Sequence, residues 1–497
     1  MCGVEKPYAA RSFSTPVKSP LLMSPELTSP TPPSPSLCHL PAYRAADLVR
    51  RRDISCHELV KSHLDRITHR DADIRAWAHL DPEATLRQAK RKDAQECVGS
   101  LHGVPVAVKD LIDTKDMRTT YGSAIYSDHV PCRNASCVAR LLAAGAVILG
   151  KTVTTEFATF QPAATRNPAA PGRTPGGSSS GSAAAVADYM APVALGTQTA
   201  GSIMRPAAYC GIYGFKPSYG ALSYGGIKAL SPSLDTVGFF ARAAQDLSLL
   251  WDALGTPLQG ARVADLPVGR GDAIRLGIAH VPESDRADDD VHDAIESVAQ
   301  AVADECDVRR LTLAGAFASA VSAHKIIMTV EAAAALGPEY REHRLELGPQ
   351  VLELIEGGRR LSRGTYERAL KVRDSCLTEL ASISLRYDAL LVPGVTGEAP
   401  VGLGFTGDPL FCRTWSLIGC PAASLPVAHG PSGAPIGVQI VGAPGRDHDL
   451  LNVVAHIVPM LMGTGMDMRS SPTSSPPSGA SDALSRSHRS REGHSDP

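Results

Sequence analysis

The sequence predicts an α/β fold: one large domain built on an open sheet with helices on both faces. Three observations predict it. Short apolar runs recur between longer stretches of helical periodicity, the rhythm of strand–helix–strand units. No internal repeat and no clear linker divides residues 38–465. The chain has 497 residues, 43% of them hydrophobic, ample material for a sizeable core.

In chain order, residues 1–37 hold eight Pro and seven Ser. So few apolar groups cannot repay ordering entropy, and this segment is expected to be disordered. Residues 43–69 predict two helices, the second opening near Ser55 with Glu58 three residues on as a capping box. Residues 83–96 predict a polar helix. The run Val104–Val108 reads as a buried strand, residues 135–145 as a helix stopped by Gly145, and Ala146–Gly150 as the next strand. A helix over 182–190 follows a glycine–serine loop. Helices are expected at Leu247–Leu254 and Asp293–Ala303, with a strand at Arg275–Ala279 between them. Long helices are expected over 316–335 and 363–385, strands at Asp388–Pro393 and 436–442, and a closing helix over 449–462. From about Met466 the chain turns to Ser, Pro, Arg and His, so residues 466–497 are expected to form a disordered tail.

Lys and Arg number 49 and Asp and Glu 51, a formal charge of −2. Such a balance provides no global attraction to nucleic acid or to an anionic membrane. The 11 cysteines are thinly spread with no CxxC pair, and they read as mostly buried thiols of a reducing compartment. The N-terminus lacks the basic start and apolar stretch of a secretory signal. The longest uncharged stretch, Thr414–Gly445, carries five prolines that break any spanning helix. The expectation is a cytoplasmic protein with no membrane and no nucleic-acid partner.

Three segments carry chemistry. Thr174-Pro-Gly-Gly-Ser-Ser-Ser-Gly-Ser182 alone reads as a flexible linker, yet it lies in an apolar region and runs straight into a helix. It is not a phosphate loop, because no Lys follows in the GK[ST] arrangement. Gly196-Thr-Gln-Thr-Ala-Gly-Ser202 reads as a second small-residue loop, whose exposed backbone N–H groups are the raw material of an oxyanion hole. Lys109 directly follows the strand Val104–Val108. It is either a salt-bridged lysine beside Asp110 or a desolvated neutral amine able to act as a base. No G-x-S-x-G stands in a strand–turn–helix context and no HExxH spacing occurs. The scattered histidines, His102 and His324 among them, read as structural or exposed.

With these residues in view the chain resembles the amidase signature hydrolases. The matching stretches are GVPVAVKD (103–110), TTYGS (119–123), GKTVTTEFA (150–158), PGGSSSGSAAAVA (175–187) and ALGTQTAGSIMRPAAYCGIYGFKPSYG (194–220). SPSLDTVG (231–238), LIGCPAASLP (417–426) and IGVQIVGAPG (436–445) also fit, so the resemblance covers roughly 40–460. It implies a central mixed β-sheet and a Ser–cis-Ser–Lys triad. Lys109 falls on the family's lysine, Ser178 on the bridging serine with a cis bond to Gly177, and Ser202 on the nucleophile. It further implies an oxyanion hole from the N–H groups of Thr199, Ala200, Gly201 and Ser202, with Ser179 supporting Lys109 by a hydrogen bond. The implied activity is hydrolysis of linear amides through an acyl-enzyme. No metal or organic cofactor is implied, the partner is a small-molecule amide, and a homodimer is a family-level expectation.

The chain departs from the wider pattern G-T-D-T-G-G-S-I-R: Gln198 replaces Asp, Ala200 replaces Gly and Met204 replaces Arg, with an arginine one position later at Arg205. Ser180 also replaces a glycine of the first loop. Arg205 is either a group that holds a substrate carboxylate or a structural arginine beside Pro206. The resemblance implies that pocket walls come from several loops, with residues near Phe405–Trp415 as candidates. Two other readings remain on the same fold. One is the glutamine-hydrolysing catalytic subunit of a tRNA-dependent amidotransferase; the other is a non-catalytic protein.

Overall fold

The structure is a computed structural model, and it describes residues 36–255 and 273–464. The expected disordered ends, 1–37 and 466–497, lie outside the described residues apart from Ser36 and Leu37. Among the described residues eleven strands form one sheet. They are β1 (Trp77–Leu80), β2 (Pro105–Lys109), β3 (Val147–Thr152), β4 (Val193–Gln198), β5 (Tyr213–Lys216), β6 (Thr236–Ala241), β7 (Ile274–His280), β8 (Cys306–Thr312), β9 (Ala389–Pro393), β10 (Ala422–His429) and β11 (Pro435–Val441). Their order across the sheet is β1-β3-β2-β4-β6-β5-β10-β11-β9-β7-β8. The β2–β3, β2–β4, β7–β8 and β7–β9 pairs are parallel and the rest antiparallel, so the sheet is mixed.

The helices are α1 (Ala42–Arg50), α2 (Cys56–Ile74), α3 (Pro82–Asp93), α4 (Ser136–Ala143), α5 (Ser180–Ala187), α6 (Met204–Tyr209), α7 (Ala244–Leu254), α8 (Asp289–Val302), α9 (Ala320–Ala335), α10 (Gly337–Glu342), α11 (Pro349–Arg360), α12 (Arg363–Ser384), α13 (Leu410–Leu417) and α14 (Asp447–Gly463). The capping box at α2 is present: Glu58 N donates to Ser55 Oγ at 3.0 Å and Ser55 N to Glu58 Oε2 at 2.9 Å. Such a cap contributes about 1 kcal/mol by satisfying donors that the first turn leaves free.

Strand alternation divides the core in two. Val106 and Val108 of β2 face one cluster, built with α4, α7, α8 and α14. Ala107 faces the other, with α2, α5, α6, α9, α11, α12 and α13. Alternation carries Lys109 to the same side as Ala107, the side covered by the alanines of α5. That is how a charged residue type ends a buried strand and points into the protein.

Six strands carry no clear pattern in the sequence. β4, β5 and β6 are buried throughout, so they lack polar–apolar alternation, and their glycines read as loop. The expected loop 196–202 is corrected here: Gly196, Thr197 and Gln198 are the last residues of β4. Small size there serves packing, since a Cβ on Gly196 would lie 2.6 Å from Phe240 and 3.0 Å from Ser179 Oγ. β8 forms a sheet edge and carries Arg309 and Arg310, a charged edge that resists further pairing. β1 and β10 complete the six. All ten described cysteines are free, and only Cys97 and Cys132 of them are exposed.

Candidate active site

Four segments converge at the ends of β2 and β4. Lys109 ends β2. The loop before α5 brings Ser178, β4 ends at Gln198, and the turn into α6 carries Ser202. The peptide bond Gly177–Ser178 is cis. Gly176 has φ +80°, and a Cβ there would lie 2.9 Å from Pro206 Cα, so the loop sits directly on α6. Arg205 of α6 fastens it, donating from Nη2 to the Gly177 carbonyl at 2.6 Å and to Thr406 Oγ1 at 3.3 Å. Thr155 N donates to the Ser178 carbonyl at 3.2 Å.

Lys109 is fully buried. Its Nζ lies 2.8 Å from Ser178 Oγ and 2.8 Å from Thr197 Oγ1. Burial drives its pKa well below the ordinary lysine value, and the Asp235 carboxylate opposes that shift. No carboxylate lies within ion-pair distance of it among the described residues. The expected bond from Ser179 is therefore corrected. Ser179 Oγ donates to the Thr197 carbonyl at 3.2 Å, so Ser179 reaches Lys109 only through Thr197. The end of β4, held in register by the sheet, presents Thr197 to the amine beside Ser178.

Gln198 Oε1 accepts from Ile203 N at 2.8 Å and Met204 N at 3.0 Å, capping α6 from a position where the wider family pattern has Asp. Between these anchors run Thr199, Ala200, Gly201 and Ser202. Among the described residues the backbone N–H groups of Ala200, Gly201 and Ser202 meet no acceptor. Ser202 is 7% exposed, and its hydroxyl makes no hydrogen bond to Ser178 in this structure.

Further residues surround this turn that sequence reasoning did not assign to it. Asp235 accepts from Thr199 Oγ1 and from the N–H groups of Leu230 and Ser231, and burial pushes its pKa up to about 6. His324 of α9, read as structural or exposed, is fully buried with Nε2 3.0 Å from the Thr199 carbonyl. Arg413 of α13 donates to His324 Nδ1 at 3.0 Å, and Ser416 donates to the Ala200 carbonyl at 2.8 Å. Of these, Asp235 alone had a local signal, inside SPSLDTVG. The others come from helices more than a hundred residues away in sequence, with no motif spacing to mark them.

A family model described as Amidase matches residues 58–451, most of the chain. The chain belongs to the amidase signature family. A glutamyl-tRNA(Gln) amidotransferase subunit of Natranaerobius thermophilus is 34% identical, over 82% of this chain and 93% of that protein. The same subunit of Acidothermus cellulolyticus is 34% identical over 83% and 93%. Among solved structures, a 6-aminohexanoate cyclic dimer hydrolase complexed with substrate is 27% identical with a TM-score of 0.76, covering 86% of this chain and 97% of that one. A peptide amidase from Stenotrophomonas maltophilia is 25% identical with a TM-score of 0.72, covering 87% and 98%. The single large α/β unit with a central mixed sheet is the fold of this family. Among the described residues no group of three or more His, Cys, Asp or Glu is placed to hold a metal, and no helix is long and apolar enough to cross a membrane.

Proposed function

We propose that this amidase-signature enzyme cleaves a carboxamide C–N bond through an acyl-enzyme on Ser202. The observation that carries this is the buried Lys109 held 2.8 Å from Ser178 Oγ, with no carboxylate paired to it. An unpaired amine in that setting is neutral and offers a lone pair. With the lone pair facing Ser178, an N–H rests on Thr197 Oγ1. Lys109 takes the hydroxyl proton of Ser178 as Ser178 takes that of Ser202. Ser202 Oγ bonds to the amide carbon. The carbonyl oxygen becomes an oxyanion on the N–H groups of Thr199, Ala200, Gly201 and Ser202, each donor lowering the barrier by about 3 kcal/mol in comparable sites. Lys109 returns a proton through Ser178 to the leaving nitrogen, the C–N bond breaks, and water repeats the relay to release the acid.

Two substrate readings stand. The curated relatives favour the glutamine-hydrolysing subunit of a tRNA-dependent amidotransferase, a reaction that is itself carboxamide hydrolysis and needs a partner protein. The solved peptide amidase and cyclic dimer hydrolase, with the Gln198, Ala200 and Met204 departures, favour a stand-alone enzyme on linear amides. Ammonia release by the purified chain from glutamine and from a panel of linear amides separates them. Turnover of simple amides without a partner supports the second; activity on glutamine that appears only with partner proteins supports the first; neither, with either substrate, overturns the hydrolase reading.

A further inference from the structure

The turn that carries Ser202 is held by its carbonyls. A peptide unit joins the C=O of one residue to the N–H of the next. The Thr199 carbonyl therefore shares its unit with the Ala200 N–H, and the Ala200 carbonyl with the Gly201 N–H. Both carbonyls accept side-chain donors from the helices opposite, His324 Nε2 at 3.0 Å and Ser416 Oγ at 2.8 Å. Neither donor ends there. His324 accepts at Nδ1 from Arg413, which fixes the neutral ring with its proton on Nε2. Ser416 accepts from Gln198 Nε2 at 3.1 Å. Two hydrogen-bond chains thus converge from behind on the two peptides, one of them beginning at a buried guanidinium.

We propose that His324 and Ser416 are positioning residues for the oxyanion hole: they orient and polarise the 199–200 and 200–201 peptides so that the Ala200 and Gly201 N–H groups donate more strongly to the developing oxyanion. This rests on the acyl-enzyme reading of Ser202. A donor on a peptide carbonyl draws electron density from the amide and makes its N–H a better donor, a cooperative gain of about 10–30% per bond. A cation at the head of the chain adds to it. Arg413, moved down to about 10 by burial, stays charged at neutral pH, while His324, moved to about 3 by burial and by Arg413, stays neutral. The polarity of the chain is therefore constant across the working range. Preorganisation is the second gain, since the same bonds prevent either peptide from turning its N–H away.

The test uses a fluorophosphonate, which needs no knowledge of the natural amide. Ser202 Oγ bonds to phosphorus as its proton passes through Ser178 to Lys109, fluoride leaves, and the phosphoryl oxygen occupies the hole. The labelling rate is followed by intact mass against pH for the wild type, His324→Leu, His324→Gln and Ser416→Ala, with thermal melting beside it. The expected result is a plateau rate lowered about tenfold in His324→Leu and in Ser416→Ala, and restored to within about threefold by Gln, which keeps an N–H donor. The pH midpoint, set by Lys109, stays in place in all of them. A plateau equal to wild type in both His324→Leu and Ser416→Ala overturns the proposal, and so does a loss that Gln fails to restore in a folded protein. Absence of labelling in folded wild type overturns instead the acyl-enzyme reading on which it rests.

Discussion

Thr197 Oγ1 lies 2.8 Å from Lys109 Nζ, the same distance that separates Nζ from Ser178 Oγ. A neutral amine has two N–H bonds and one lone pair, so an acceptor on one side selects where the lone pair points. Thr197→Val keeps the shape and removes the acceptor. We expect kcat to fall about tenfold with little change in melting temperature, measured on any amide the wild type turns over. An unchanged kcat would remove Thr197 from the mechanism.

Ser202→Ala removes the nucleophile from a turn whose backbone is held by Gln198, so the fold is expected to persist while turnover is lost. Intact mass after fluorophosphonate treatment is the direct check: one adduct on wild type and none on the variant. An adduct retained by Ser202→Ala would place the reactive serine elsewhere.

Acidification tests Lys109. Its folded pKa lies well below the ordinary 10.5 because burial disfavours the charged form. Activity is therefore present above the folded pKa and lost as the pH falls through it, when the amine is protonated before it can act. Stability follows the same sign. Between the two pKa values the unfolded chain binds the extra proton, so this group's contribution rises as the pH climbs toward 10.5. A rate that does not fall on acidification anywhere in the range where the protein stays folded would argue against a neutral lysine base.

Gln198→Ala leaves the N–H groups of Ile203 and Met204 buried without an acceptor. Each such orphan costs about 1–3 kcal/mol. The expected loss is about 2–6 kcal/mol of unfolding free energy, read from denaturant titration, with a slower labelling rate at Ser202 as the turn loosens. A variant as stable as wild type would mean that water or a shifted α6 replaces the amide.

Arg205 gives one nitrogen to the Gly177 carbonyl and Thr406, while Nε and Nη1 are buried and meet no acceptor among the described residues. Its grip on the loop that carries Ser178 predicts that Arg205→Ala lowers kcat on neutral and carboxylate-bearing amides alike. A KM rise confined to the carboxylate-bearing amides would instead assign the two free nitrogens to the substrate.

Local signals read well where one segment does one job. The Ser55–Glu58 box, the apolar run ending at Lys109 and the proline-ended strand β9 each depend on neighbours within a few residues, and each is found where the sequence puts it. The Gly-Ser loop and the second serine were legible through their resemblance to a family, since Ser178 and Ser202 stand 24 positions apart with glycines on the near side of each. Three of the buried strands, β4, β5 and β6, were not legible. β4 and β6 carry glycines for close packing, and a glycine that makes room looks the same in sequence as one that makes a turn.

The sequence by itself determined the α/β class, the family and the positions of Lys109, Ser178 and Ser202, because hydrophobic period, caps and short motifs are properties of contiguous residues. Only the tertiary structure decided which hydroxyl meets Lys109 and what stands behind the oxyanion turn. Ser179 and Thr197 are both small hydroxyl residues far from Lys109 in sequence, and the register of β4 in the sheet brings Thr197 to the amine. His324, Arg413 and Ser416 come from α9 and α13, brought to Thr199 and Ala200 by packing of two helices that no local pattern relates to them. Contacts across a hundred or more residues depend on how whole elements stack. A single sequence holds that information only in the sum of its parts.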